Sequence, residues 1–261
     1  PNWVQAFGNA AAPGRFRVAF TGADLAPVFG ETGGAWHWQD GGAVTVAGAT
    51  ATLALKDLTG FDGRCDAVAF IRGSDAPPPA GGADLAAWRR AALGESETPA
   101  ISQPFDCVIV GGGMAGCCAA LAAARAGVHV ALVQDRPVPG GNASQEIRVA
   151  TRGATRHPIV EEIDTTDLSN RGEGTVTSDA GRIAKLQAEP DLVLLMPWRA
   201  YAAGTNASGR VAHVDVRHAR TGERRRLTAP LFIDCTGDAW VGYWAGADYR
   251  MGREAAAEFG E

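Results

Sequence analysis

Gly111, Gly113 and Gly116 stand in "CVIVGGGMAGCCAALAAARAG" with G-x-G-x-x-G spacing, directly after four apolar residues and before a run of small ones. Glycines so placed between a strand and a helix can do three things. They make a tight turn, let the backbone approach a pyrophosphate, and let the helix pack closely on the strand. The following helix then aims its free N–H groups and the positive end of its dipole at the phosphates. The residues therefore read as a dinucleotide-binding loop. A Walker-type phosphate loop is excluded, because no Gly-Lys-Ser/Thr follows.

The elements needed to hold this loop can be read around it. Residues 107–110 are predicted to form a buried strand, 114–126 a helix and 128–133 the next strand, a β-α-β unit. Ala120 and Ala124 are small where the helix must lie on the sheet, and Gly127 ends it. Gln134 falls at the end of the second strand, where an acidic residue usually holds the adenosine ribose, and Asp135 comes one residue later. A Gly- and Thr-rich loop region runs to about residue 178. A helix is expected over 178–188. Strands over 192–203, 211–218 and 224–227 would form a β-meander, and the apolar strand 231–234 stops at Cys235-Thr236-Gly237-Asp238. A nicotinamide domain normally continues with further β-α units. A meander followed by a strand ending in Thr-Gly-Asp instead points to a flavoprotein and to FAD.

The N-terminal part reads differently. In "GRFRVAFT" (14–21), Phe16, Val18 and Phe20 alternate with Arg15, Arg17 and Ala19, the period of a half-buried strand. Further short strands are expected over 43–46, 50–55 and 67–71, between Gly/Asp turns, as in an antiparallel β-sandwich. The set is too small for a complete sandwich. "GSDAPPPAGGAD" then reads as a linker, and Asp84 as the N-cap of a short helix through Leu93. The expected organisation is a partial β-sandwich module over 1–72, a linker with a short helix over 73–104, and a Rossmann-like FAD-binding α/β domain over 105–261. The chain begins at Pro1 and its first residues read as the inside of a domain. The expectation is a fragment, C-terminally incomplete, from a soluble protein that is cytoplasmic or exported with its signal outside this chain.

Composition narrows the function classes. The net charge of −5 and pI near 5.6 oppose a nucleic-acid-binding face. No stretch reaches the roughly 18 apolar residues of a membrane span. The five cysteines include no C-x-x-C, so neither a zinc site nor an iron–sulfur cluster has its usual spacing. Lys is scarce and Arg carries the positive charge, as in proteins from GC-rich, bacterial-type genomes.

Several other residues have two readings. His157, with Glu161 and Glu162, could transfer protons or simply start a surface helix. Arg148 and Arg152 could meet an anionic substrate or face solvent. Trp36 and Trp38 could offer a sugar-stacking platform or enter a core, and "TGERRR" (221–226) reads as a solvated hairpin end.

Four stretches resemble one known family. They are "DLTGFDGRCDAVAF", "DCVIVGGGMAGCCAALAAARAG", "VALVQDRPVPGGNASQEIRV" and "FIDCTGDAWVGYWAGADYRMGRE". Together they cover about a third of the chain, and Gly-Gly-Asn-Ala-Ser-x-Glu is the most specific run. They are similar to FAD-dependent oxidoreductases related to the flavin subunit of heterodisulfide reductase, in the form with an N-terminal β-sandwich module. The resemblance implies that Gly111, Gly113 and Gly116 bind the FAD pyrophosphate, and that Gln134, Asp135 and Arg136 lie at the adenosine. It further implies that Gly140, Gly141 and Asn142 pass close to the pyrophosphate and ribityl chain. Thr236, Gly237 and Asp238 would close the adenine side. The sequence departs from the family in carrying Gln134 instead of Glu and in lacking the Fe–S cysteine motifs of the heterodisulfide reductase branch. The expected function is oxidation of an organic small molecule, carbohydrate-related compounds among the candidates, with FAD accepting a hydride. Two alternatives stand beside it: a non-catalytic nucleotide-binding fragment joined to a carbohydrate- or protein-binding β-sandwich, and an NAD(P)-dependent dehydrogenase.

Overall fold

The computed structural model describes residues 14–31, 35–58, 65–149, 151, 157–164 and 179–252. The chain divides into two units at Glu97/Thr98.

The first unit is built on a three-stranded antiparallel sheet, ordered β2-β1-β3, from β1 (Phe16–Phe20), β2 (Ala23–Phe29) and β3 (Leu53–Asp57). The alternation in β1 holds for Phe16, Arg17 and Val18, but Ala19, read as facing outward, is buried and Phe20, read as facing inward, is half-buried, beyond a register shift against β2 between Arg17 and Ala19. Phe16 and Val18 are buried with Phe29, and the Phe16 and Phe29 rings stack at 5.4 Å. β2 was not legible, because Pro27 argues against a strand; it is tolerated here because β2 is a sheet edge. Residues 43–46 and 67–71 form no strand. Val46, Val68 and Phe70 are exposed, so these β-prone residues have no buried face that would favour a strand, although Phe70 meets the Phe20 ring at 5.6 Å. Among the described residues this unit thus holds one sheet and no second sheet facing it. The short helix α1 (Gly82–Ala92) starts three residues earlier than expected, with Gly81 as its N-cap, which leaves Asp84 in its first turn.

The second unit has three layers. Its centre is a four-stranded parallel sheet, ordered β11-β5-β6-β7, from β5 (Cys107–Val110), β6 (Val130–Val133), β7 (Leu192–Leu195) and β11 (Leu231–Asp234). β5 and β6 are buried throughout, which explains their continuous apolar sequence. One face of the sheet carries Cys107, Ile109, Val130 and Leu132. It is covered by α2 (Met114–Arg125), α3 (Pro158–Ile163) and α4 (Asp179–Gln187) through Cys117, Ala120, Leu121, Ile163 and Leu186. The other face carries Val108, Val110, Ala131 and Val133. An antiparallel meander of β8 (Trp198–Thr205), β9 (Val211–His218) and β10 (Arg224–Thr228) covers it with Trp198, Val214, Val216 and Leu227. The two-residue β4 (Ala100–Ile101) pairs parallel with β10. It comes from sequence read as linker and is too short to show a period.

The strand read over 192–203 is two strands. Met196 and Pro197 lie in a turn, which sends residues 192–195 into the parallel sheet beside β6 and residues 198–205 into the meander. Proline has no N–H to give to a ladder, so the break falls where one sheet is exchanged for another. The arginines of "TGERRR" are not merely solvated. Arg226 forks onto Asp215 at 2.7 and 2.8 Å, Arg224 donates to the Tyr201 hydroxyl at 2.9 Å, and Arg225 lies 4.6 Å over the Trp198 ring. No helix among the described residues is long and apolar enough to cross a membrane.

Candidate dinucleotide site

Parallel strands place loops with related roles at one end of the sheet, outside their carboxyl ends. β5 ends at Val110, β6 at Val133 and β11 at Asp234, and the backbone joins the three ends. Gly111 donates to Val133 O at 2.9 Å and Cys235 to Val110 O at 2.8 Å.

The glycines divide the work between fold and ligand. Gly111 has φ +103°, and a Cβ there would stand 2.4 Å from Cys235 O. A Cβ on Gly116 would stand 1.9 Å from Gly111 O, so this glycine lets α2 sit against the turn. A Cβ on Gly112 would meet Gln134 at 2.8 Å. Gly113 differs: a Cβ there would have nothing within 4 Å. It is the N-cap of α2, which has no side-chain cap and no acidic residue in its first turn. The N-terminus of this 12-residue helix therefore opens onto free space with its dipole uncompensated. An anion can approach here, and a phosphate suits the unpaired donors.

A second loop lies against the first. Gly140 donates to Gly112 O at 2.7 Å and bridges Gly113, and a Cβ on Gly141 would be 3.2 Å from Gly113 Cα. Gly140 (φ +111°) and Gly141 (φ +58°) both hold left-handed conformations that favour glycine. Asn142, in the short 3₁₀ turn Gly141–Ala143, is exposed, and its carbonyl accepts Val149 N–H at 2.8 Å.

The strand-end residues take different parts. Gln134 is buried; its Oε1 accepts Gly112 N–H at 3.0 Å and its Nε2 donates to Val138 O at 2.7 Å. Asp135 is exposed. Arg136 pairs with Glu146 at 3.1 Å. After β11, Thr236 donates to Asp234 Oδ1 through N and Oγ1, at 3.0 and 2.6 Å, and accepts Trp240 N–H at 2.9 Å. Gly237 and Asp238 are exposed beyond it.

Three residues of this region escaped the sequence reading. Asp234 accepts from Val241 and Gly242 at 2.8 and 3.1 Å as well as from Thr236, and so holds the whole loop after β11. An Asp two residues before a Thr in a turn was a usable sign of that role. Arg182 and Asp179, on α4, reach the second loop from behind; a lone arginine in an amphipathic helix gave no sign of burial.

The other candidates have structural partners. His157 is the N-cap of α3, where its Nδ1 accepts Ile159 N–H at 3.3 Å. Arg148 donates to Gln145 O at 3.2 Å, and Arg152 lies outside the described residues. Trp38 donates to Pro79 O at 3.0 Å and meets Trp88 edge-on, while Trp36 is exposed. Burial pushes the Cys117 thiol up to about 12, so this cysteine beside the glycine loop is not a nucleophile at neutral pH.

Fold and site together define a Rossmann-type dinucleotide-binding protein with a meander in the connection from β7 to β11. Residues 106–261, more than half of the chain, match the family model described as FAD dependent oxidoreductase. The chain belongs to the FAD-dependent oxidoreductase family, and FAD is the dinucleotide its site is built for. This sets aside the NAD(P)-dependent alternative. Among solved structures, the chain is similar to a geranylgeranyl bacteriochlorophyll reductase-like protein from Thermoplasma acidophilum. That likeness has 20% identity and a TM-score of 0.41, over 56% of this chain and 43% of that one. It is also similar to THI4 from Thermovibrio ammonificans, with 17% identity and a TM-score of 0.38, over 59% and 63%. A third is a thioredoxin reductase from Gloeobacter violaceus, with 20% identity and a TM-score of 0.32, over 61% and 42%. The chain thus spans less than two thirds of the length of each.

Proposed function

We propose that this protein is a flavoenzyme that oxidises or reduces an organic small molecule and is related to the flavin subunit of heterodisulfide reductase. The observation that carries this reading is the contrast at Gly113. Gly111, Gly112, Gly116, Gly140 and Gly141 are each packed against protein, whereas Gly113 faces open space at a bare helix N-terminus. That is the shape of a pyrophosphate seat. The Gly-Gly-Asn-Ala-Ser-x-Glu run supports the heterodisulfide reductase relationship, because its two glycines form the second wall of that seat.

When bound, FAD supplies two-electron redox chemistry. The residues of this chain bind and orient it. The α2 N-terminus and Gly113 would take the pyrophosphate, Asp135 would accept from the ribose hydroxyls, and Gly140 and Gly141 would line the path toward the ribityl chain. Thr236, fixed by Asp234, would close the remaining side. The test is to purify the protein, release any cofactor by heat and identify it by mass spectrometry. Yellow protein that releases FAD is expected, with a colourless but folded Gly113→Val variant. Equal flavin retention by that variant would overturn the reading.

A further inference from the structure

Behind the second loop lies an ion pair that the cofactor reading does not use. The Arg182 side chain is fully buried, and that of Asp179 nearly so. Arg182 Nη1 donates to Asp179 Oδ1 at 3.0 Å and to Pro139 O at 2.9 Å, and Nε donates to Ile163 O at 3.2 Å. Asp179 in turn accepts Gln145 N–H, at 3.1 Å to Oδ2 and 3.3 Å to Oδ1. The two side chains hold the loop from 139 to 145 at both ends. The guanidinium also fills the space a side chain at position 140 would occupy, since a Cβ on Gly140 would fall 2.4 Å from Nη1.

The cost of this arrangement is considerable. Burying a guanidinium and a carboxylate together is often no better than an apolar pair of the same size. Among the described residues, Arg182 Nη2 is buried without a hydrogen-bond partner, which adds the desolvation cost of an unmet donor. Stability alone does not account for such a pair, but fixed geometry does. A planar fork with three directed donors can set the position of one carbonyl in a way that apolar packing cannot. That carbonyl is Pro139 O. The next residue, Gly140, donates to Gly112 O and lies beside Gly113.

We infer that Arg182, oriented by Asp179, is a positioning residue for the dinucleotide site. It sets the distance between the Gly140–Gly141 loop and Gly113, and thereby the width of the pyrophosphate seat. This inference rests on the FAD reading above.

The test compares FAD, ADP and adenosine binding by calorimetry and ligand-observed NMR, well below the melting temperature of each variant. Arg182→Met should bind FAD and ADP at least tenfold more weakly, by similar factors, while adenosine, which has no pyrophosphate, binds as before. Arg182→Lys keeps the charge but not the fork, and should behave like Arg182→Met. Asp179→Asn, the mildest change, should show the same pattern to a smaller extent and decides the matter if the Arg182 variants do not fold. Arg226→Met, which breaks the comparable pair on the meander, should lower the melting temperature and leave all three affinities alone. Equal losses for ADP and adenosine, or unchanged FAD and ADP affinity in folded Arg182 or Asp179 variants, would overturn the inference alone. Failure of the parent to bind FAD would overturn the reading beneath it as well.

Discussion

Gln134 Oε1 accepts the Gly112 N–H at 3.0 Å, so the residue at the expected ribose position is tied to the glycine loop after β5. Its Nε2 is also committed, to Val138 O. A glutamate here could accept from Gly112 but could not donate to Val138, which gives the amide a structural reason. Gln134→Leu should therefore lose about 2 kcal/mol of stability, because it leaves two backbone groups unmet. Chemical denaturation measures this, and a loss near zero would show that the amide is idle.

On the proposed reading, with Gln134 engaged, the ribose would fall to Asp135, which is exposed at the same strand end. Asp135→Ala should leave stability within about 0.5 kcal/mol of the parent and weaken FAD and adenosine binding roughly fivefold, as for one lost hydrogen bond of about 1 kcal/mol. An unchanged adenosine affinity would move the ribose elsewhere.

The glycine loop predicts a separation of stability from binding. Gly116→Ala forces a Cβ onto Gly111 O, and Gly111→Ala combines a backbone clash at 2.4 Å with φ +103°. Each should cost about 2 kcal/mol or more. Gly113→Ala meets nothing and should melt with the parent, yet bind FAD more weakly, because the added methyl occupies the phosphate approach. Melting curves and FAD titrations on the three variants separate the roles. A Gly113→Ala variant that binds FAD normally would remove the pyrophosphate from that position.

Much of this site was legible because its determinants are local. Strand, glycine turn and small-residue helix follow one another within 107–125, and each residue type is fixed by its neighbours. Residues 211–218 and 231–234 were legible for the same reason. The misreadings occur where a distant partner decides. The apolar run at 192 shows no sign that its first four residues join one sheet and the rest another. β2 forms despite Pro27 because it is a sheet edge, which no local pattern reveals. Arg182 resembles any surface arginine until Pro139, 43 residues away, is placed beside it.

The cysteines should separate sharply by accessibility. Cys65 is exposed, while Cys117 is buried with its thiol pushed up to about 12 by burial, and the thiolate is the reactive form. Brief alkylation of the native protein should label Cys65 first and leave Cys117 unlabelled until denaturant is added. Peptide mass spectrometry reads the order. Early labelling at Cys117 would mean that the α2 N-terminus opens in solution.

The last expectation concerns acid. Arg125, at the end of α2, forks onto Glu162 of α3 at 2.8 and 2.9 Å and also pairs with Glu189 at 2.7 Å. The Arg125 hydrogen bonds hold the Glu162 carboxyl at about 2, below its ordinary 4.5, with Lys185 adding to the effect. Between those two values the folded protein keeps Glu162 ionised while the unfolded chain takes up the proton. The unfolded state then binds more protons, so stability falls as the pH falls through this window; above about 4.5 the contribution is complete. Both side chains are about a third exposed, so solvent and salt screen the pair and its contribution is modest. Glu162→Gln should melt below the parent at neutral pH. The gap should narrow from about pH 4.5 downward, nearly close by about pH 2, and shrink at high salt at any pH above the window. Melting temperatures of the two proteins across that range are the measurement. A gap that stays constant with pH, or widens in acid, would show that the α2–α3 contact does not depend on the charge of Glu162.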